Sequence, residues 1–221
     1  MSVLSIANLR IDLPQGADRP HAVVDFSAEM TAGQILCIVG ESGSGKSMTA
    51  NALMGLLPDG VTVGAGSATF EGRDILALPA DAARALRGAR IAMIFQEPMT
   101  ALNPLMRIGD QIIEMYEAHD RFTPIERRAK ALELIDEVRL PDPEKIFRAY
   151  PFQLSGGQRQ RAMIAMALAM DPAILIADEP TTALDVTTQA EILRLIKRLQ
   201  QSHGTSVMFI THDFGVVAEI A

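Results

Sequence analysis

The sequence predicts an α/β fold with a mostly parallel sheet, an N-terminal antiparallel β segment and an inserted helical block. Three observations predict it. Apolar runs at 35–39, 91–95, 174–177 and 206–210 have the length and continuity of buried strands. Helical patterns at 157–169 and from 186 to about 202 alternate with the last two, which indicates parallel strands covered on both faces. A long, predominantly helical stretch separates these from the earlier strands.

In chain order, residues 3–39 read as short strands broken by the turn-rich stretch Pro14-Gln15-Gly16-Ala17-Asp18-Arg19-Pro20. Alternation at Val24, Phe26, Ala28 and Met30 gives this segment an antiparallel character with one buried face. The run 35–39 is apolar throughout, as in a strand buried on both sides, and leads through a glycine-rich loop into a helix over 46–57. After the strand 91–95, Pro98 and Pro104 interrupt regular structure. Thr123-Pro124-Ile125-Glu126 starts a helix with an N-cap, a proline at the first helical position and a glutamate three residues after the cap. The apolar stripe of that helix is Ile125, Ala129, Leu132, Ile135 and Val138, with Arg127, Arg128, Lys130, Glu133 and Glu137 on its wet side.

Composition narrows the class. A chain of 221 residues can bury a full core without disulfides, as one domain with an inserted subdomain. With 48% hydrophobic and 21% charged residues and a mean hydropathy of +0.17, it is globular and not disordered. A net charge of -7 argues against a broad nucleic-acid surface, which needs clustered Lys and Arg. The single cysteine, Cys37, lies in an apolar run and packs as a small hydrophobe, in keeping with a reducing compartment. The longest apolar run, 162–170, stops at Asp171-Pro172, short of the ~20 residues that cross a bilayer. The start Met1-Ser2-Val3-Leu4 lacks the features of a signal peptide, so the cytosol is the expected location.

Gly40-Glu41-Ser42-Gly43-Ser44-Gly45-Lys46-Ser47 fits the phosphate-loop pattern at every fixed position, which places the fold among P-loop nucleotide hydrolases. Its glycines let successive N–H groups point inward, and the following helix adds positive potential at its N-terminus. Lys46 should reach the β- and γ-phosphates, and the Ser47 hydroxyl should ligate Mg²⁺. Asp178 and Glu179 follow a buried strand, where ligands bind in parallel-sheet proteins. Asp178 is expected to hold Mg²⁺, and Glu179 to deprotonate the attacking water.

Leu154-Ser155-Gly156-Gly157-Gln158 narrows the assignment, because it resembles the signature sequence of ATP-binding-cassette (ABC) proteins. Ser155 and Gln158 are also a capping box, and both readings can hold, since a helix N-terminus with small residues suits an incoming phosphate. Gln96 is similar to the family's Q-loop glutamine, which senses Mg²⁺, and Thr182-Ala183-Leu184-Asp185 resembles its D-loop. His212 is similar to the switch histidine that contacts the γ-phosphate. The stretches 96–104, 150–157 and 177–187 most resemble the peptide- and nickel-importer branch.

The resemblance implies a nucleotide-binding core at 1–95 and 155–221 and a helical subdomain at approximately 96–154. ATP and Mg²⁺ are expected to bind at residues 40–47, with Asp185 among the nucleotide-binding residues and the partner's signature segment contacting the γ-phosphate in a head-to-tail dimer. The implied partners are a second ABC ATPase subunit, transmembrane permease subunits and an extracytoplasmic solute-binding protein acting through the permease. The implied place is the cytoplasmic face of the inner membrane, as a peripheral subunit.

Two departures from the family pattern stand out. Residues 10–22 contain no Phe, Tyr or Trp to stack on adenine and offer only His21 as a ring, and the chain stops at Ala221 where the branch continues, as a fragment would. Two rival functions fit the same motifs: a soluble ABC ATPase without a membrane partner, and an ATP-binding module with poor hydrolysis.

Overall fold

Two sheets with opposite pairing rules divide the strands. The computed structural model describes residues 2–182 and 184–220, so Ala183 of the predicted D-loop lies outside the described residues. The antiparallel sheet holds β1 (Ser2–Asp12), β2 (His21–Thr31), β4 (Thr62–Phe70) and β5 (Arg73–Asp74) in the order β2-β1-β4-β5. The parallel sheet holds β3 (Ile35–Val39), β6 (Ile91–Ile94), β7 (Ile174–Asp178) and β8 (Ser206–Thr211) in the order β3-β8-β7-β6.

Helix α1 (Lys46–Met54) leaves the phosphate loop, and α2 (Ala80–Leu86) precedes β6. Helices α3 (Pro98–Ala101), α4 (Ile108–Ala118), α5 (Pro124–Glu137) and α6 (Pro143–Arg148) form the central helical stretch. Three more follow: α7 (Gly156–Leu168), α8 (Val186–His203) and α9 (Phe214–Ile220). Among the described residues no helix is long and apolar enough to cross a membrane.

The parallel sheet is buried on both faces, and strict alternation sorts its side chains between two cores. Ile91, Met93, Ile174, Ile176, Met208 and Ile210 join α1 and the antiparallel sheet in one core. Ala92, Ile94, Leu175, Ala177, Val207 and Phe209 join α4 to α9 in the other. This explains the continuous apolar runs, because both the odd and the even positions of a strand must be apolar when water reaches neither side.

Four local expectations are corrected. Strand β3 packs against both cores, Ile35 and Cys37 against one and Leu36 and Ile38 against the other, but is only half-buried along its length where full burial was expected. In β2, Phe26, Ala28 and Met30 keep the predicted alternation, but Val24 is exposed. Leu9 pairs with Phe26 while Ile11 pairs with Val23, so one extra residue of β2 bulges and flips the face of what precedes it.

Helix α1 ends at Met54 instead of Leu57. Gly55 takes a left-handed φ of 62° and, with Leu56, returns amide bonds to Ala52 and Asn51, which satisfies the last carbonyls. In α5 the capping box of Thr123 and Glu126 forms as predicted. The buried stripe, however, runs through Ala131, Leu134, Ile135 and Val138, leaving Ile125 85% exposed. The aliphatic stem of Arg127 takes the inward position one turn before Ala131, and its guanidinium bonds the Arg121 carbonyl and Glu117. Cys37 packs half-buried as expected, and burial pushes its thiol up.

His203, the last residue of α8, ties three elements together. Its Nε2 lies 2.8 Å from Glu137 Oε1 at the end of α5, and its Nδ1 lies 2.9 Å from Asp171 Oδ1 ahead of β7. Burial alone would lower its pKa, but the hydrogen bonds to Glu137 and Asp171 outweigh burial and raise it. A raised folded-state pKa gives stability that is fully present below the ordinary histidine value and is lost as pH rises through the folded value. Denaturant midpoints should therefore fall as pH is raised above the ordinary histidine value of about 6.5, by the equivalent of roughly 1–3 kcal/mol for charge-assisted bonds. The His203→Gln variant should be less stable at about pH 6 and should lack this slope.

Candidate functional site

All four parallel strands run in one direction, so the loops after them meet at one edge of the sheet. After β3 comes the glycine-rich loop, after β6 Gln96, after β7 Glu179 and after β8 His212. Together they line a cleft of about 760 Å³ whose walls also include Leu13, Arg19, Ala22, Met48 and Thr182.

The loop curls as its composition requires. Gly43 and Gly45 have φ values of 79° and 95°, a region that favours glycine. A side chain on Gly45 would also collide with the Ala22 carbonyl of β2, so the loop is pressed directly against the antiparallel sheet. The Ser44 amide bonds back to Glu41 at 3.2 Å, and Thr49 Oγ1 donates to the Gly45 carbonyl. Lys46 folds over its own loop, donating from Nζ to the carbonyls of Gly40 at 2.7 Å and Glu41 at 2.8 Å. Arg19 donates to the Gly43 carbonyl at 2.6 Å and so brings a second cation to the rim.

The carboxylates divide as their surroundings dictate. Asp178 ends β7, is 4% exposed and accepts from Ser47 Oγ at 3.1 Å. Burial pushes its carboxyl up, the Glu179 charge adds to this, and the Ser47 bond and Lys46 oppose it. Glu179 sits in a left-handed conformation with φ 46°, its amide donating to the Ile210 carbonyl at 2.9 Å. Such backbone costs about 1–3 kcal/mol in a non-glycine residue, and here it turns the side chain from the strand end into the cleft. One oxygen, Glu179 Oε2, then meets three groups: Gln96 Nε2 at 3.2 Å, Thr182 Oγ1 at 2.9 Å and His212 Nδ1 at 3.1 Å.

Sequence-derived candidates thus fall into two places. Residues 40–47, Gln96, Asp178, Glu179 and His212 come together at the cleft. Ser155, Gly156, Gly157, Gln158 and Asp185 do not line it. Ser155 and Gln158 form the capping box of α7, and Asp185 caps α8 through the Thr188 amide at 3.0 Å. A side chain on Gly157 would strike Thr188, so the N-termini of α7 and α8 lie side by side.

His21 is bound to Asp12 at 2.8 Å and is not among the lining residues; the positions of that segment facing the cleft are Leu13, Arg19 and Ala22. Sequence reasoning missed Arg19 and the Glu179 contact of Thr182. Arg19 lies in a stretch that reads as a connector, and nothing in local spacing distinguishes Thr182 from Thr181.

The family model described as ABC transporter matches residues 23–182. The peptidoglycan transport ATP-binding protein YejF of Agrobacterium fabrum is 52% identical over 99% of this chain and 40% of the relative. The probable D,D-dipeptide transport ATP-binding protein DdpD of Escherichia coli is 48% identical over 99% of this chain and 67% of the relative. The oligopeptide transport ATP-binding protein OppD of Salmonella typhimurium is 49% identical over 99% of this chain and 65% of the relative. The chain therefore spans between two fifths and two thirds of these relatives' lengths. A solved dimeric structure of a post-hydrolysis state of an ATP-binding cassette bound to ADP and Pi superposes with a TM-score of 0.85 at 30% identity, covering 98% of this chain and 90% of that one.

The close fit of the loop against β2 makes Gly45 a sensitive position. Gly45→Ala combines a left-handed φ with the collision at Ala22, and should lower stability by roughly 1–3 kcal/mol in denaturant unfolding. Gly43→Ala shares the positive φ but meets nothing within 4 Å, so its loss should be the smaller of the two.

Proposed function

This chain belongs to the ABC transporter family, and on that premise we propose that it binds Mg-ATP in the cleft and hydrolyses it to power import of peptides or related small solutes. The observation that carries the proposal is the convergence of Gln96, Thr182 and His212 on one oxygen of Glu179, at the mouth of a glycine-rich phosphate loop. A carboxylate held this way is oriented towards whatever occupies the loop, and its other oxygen is left to take a proton.

In this reading the loop amides and the α1 N-terminus receive the triphosphate. Lys46 exchanges its two carbonyl partners for phosphate oxygens, which offer a full charge in place of a dipole. Leu13 and Arg19 stand where an aromatic residue would otherwise face the base, and a guanidinium can stack on a purine ring through its flat face. Glu179 accepts the proton of the attacking water, while Gln96, Thr182 and His212 keep its carboxylate in position. His212 and Gln96 also lie within the cleft wall, where the transferred phosphoryl group would pass.

The residues fit magnesium. The Ser47 hydroxyl and Asp178 carboxylate are a pair of hard oxygen donors 3.1 Å apart, and a carboxylate pushed up by burial is one that a divalent cation would restore to its charged form. Ser47, Asp178 and Gln96 would hold the ion. When bound it would neutralise charge on the β- and γ-phosphates.

The signature segment has its role in a dimer. Ser155, Gly156, Gly157 and Gln158 lie outside this chain's own cleft, so they would close over the nucleotide of a second cassette, with Asp185 beside that contact. The helical residues 96–154 would carry the movement to permease subunits served by a solute-binding protein, with the cassette peripheral at the cytoplasmic face of the membrane. Relatives named for oligopeptide, D,D-dipeptide and peptidoglycan transport support the peptide-like cargo.

Glu179→Gln keeps the shape and removes the base, so phosphate release should drop by about 10²- to 10⁴-fold while nucleotide affinity is retained. Unchanged turnover would reject Glu179 as the base. Lys46→Ala should instead weaken ATP binding about tenfold or more in calorimetry, as loss of a charge-assisted contact predicts.

A further inference from the structure

A second cleft of about 540 Å³ is lined by Arg139, Arg161, Glu191, Arg194, Leu195 and Arg198 and shares no residue with the nucleotide cleft. Its cations arrive from three directions: Arg139 just after α5, Arg161 from α7, and Arg194 and Arg198 from α8. In a chain of net charge -7, four guanidinium groups facing a single carboxylate form a local exception.

Fold maintenance accounts for two of them. Arg161 donates to the Val138 carbonyl at 2.9 Å and to Glu191 Oε2 at 2.8 Å, and Arg198 donates to the Glu137 carbonyl at 2.8 Å. Both thereby satisfy carbonyls at the C-terminal end of α5, where cations are favoured. The carboxylate of Glu137 is turned away to His203. The side chains of Arg139 and Arg194 have no hydrogen-bond or ion-pair partner among the described residues, and both residues are exposed and line the cleft.

We infer that this cleft is a binding site for a phosphate-class oxyanion, held by the open guanidinium forks of Arg139 and Arg194 with Arg198 behind them. A tetrahedral group with several charged oxygens can meet forks approaching from different elements at once, whereas a planar carboxylate fills one fork. The crowding also has an energetic consequence. Burial and the charges of Arg139 and Arg161 push Arg198 down, with Glu137 offsetting this only in part, and a bound anion would reverse that repulsion. Phosphate chemistry could come from a soluble polyphosphate or ester, or from a lipid headgroup.

The test follows the side-chain Nε–H resonances of Arg139 and Arg194 by NMR during titration of the whole chain with inorganic pyrophosphate at constant ionic strength. Because the readout is local, pyrophosphate bound at the glycine-rich loop does not imitate it. Saturable shifts of both signals are expected, and the Arg198 Nε–H signal, which the Arg139→Gln/Arg194→Gln double variant keeps, should report an affinity at this cleft reduced about tenfold or more in that variant. Neither residue holds the fold together, so the double variant should unfold at the wild-type midpoint in anion-free buffer. A response to phosphatidate but not phosphatidylcholine vesicles that exceeds the pyrophosphate response would support the site and name a headgroup as its source. Shifts reproduced by sodium chloride, or a response to poly-glutamate with none to pyrophosphate, would overturn the assignment.

Discussion

Parallel pairing of four strands is the constraint from which the rest follows. Because β3, β8, β7 and β6 run the same way in register, the loops that follow them are forced to one edge, however far apart they are in sequence. Val39 pairs with Thr211 and Asp178 with Ile210, so the phosphate loop, the carboxylates and His212 all begin at the same level of the sheet. Slipping any one strand by a single residue would exchange its two faces between the cores, and the double-sided burial of β6, β7 and β8 makes that exchange costly. Precision at the cleft is thus inherited from packing well away from it.

Within that frame the cleft balances opposed charges at short range. Lys46 and Arg19 rest on loop carbonyls, Asp178 is buried against Ser47, and Glu179 is turned out of the strand end by a left-handed backbone. Each of these groups is held by partners weaker than the ones a triphosphate and a divalent cation would provide. The same logic explains why Glu179 can hold a strained conformation: its amide is fixed by Ile210, and one carboxylate oxygen by two hydrogen-bond donors with the His212 ring nitrogen close by, so the surroundings hold it in place.

Most of this was legible in the sequence because the decisive signals are local. The glycines of the loop, the apolar runs of β6 to β8 and the capping boxes at Thr123 and Ser155 each state a backbone requirement within a few residues. What escaped depends on tertiary contact. The bulge that exposes Val24 arises from pairing with β1, and the rotation of α5 that exposes Ile125 arises because a long arginine stem competes for the inward face. Arg19 crosses 24 residues of chain to reach Gly43, and Thr182 meets Glu179 only after the β7 loop has turned. No periodicity or spacing encodes such meetings.

The placement of the α7 N-terminus gives the last step. Ser155 and Gln158 cap each other, Gly157 presses on Thr188 and Asp185 caps α8, so two helix N-termini lie together, away from the cleft that their motifs would suggest they serve. A helix start carries positive potential that a nearby anion would stabilise, and Asp185 is already committed to capping its own helix. On the proposed reading, a cassette whose cleft holds the base but not these helix starts would be half of a closed site, and a head-to-tail second copy would supply the other half while excluding water from both. In that proposed arrangement opening and closing of the dimer, rather than any rearrangement of the parallel sheet, would be the movement that hydrolysis controls.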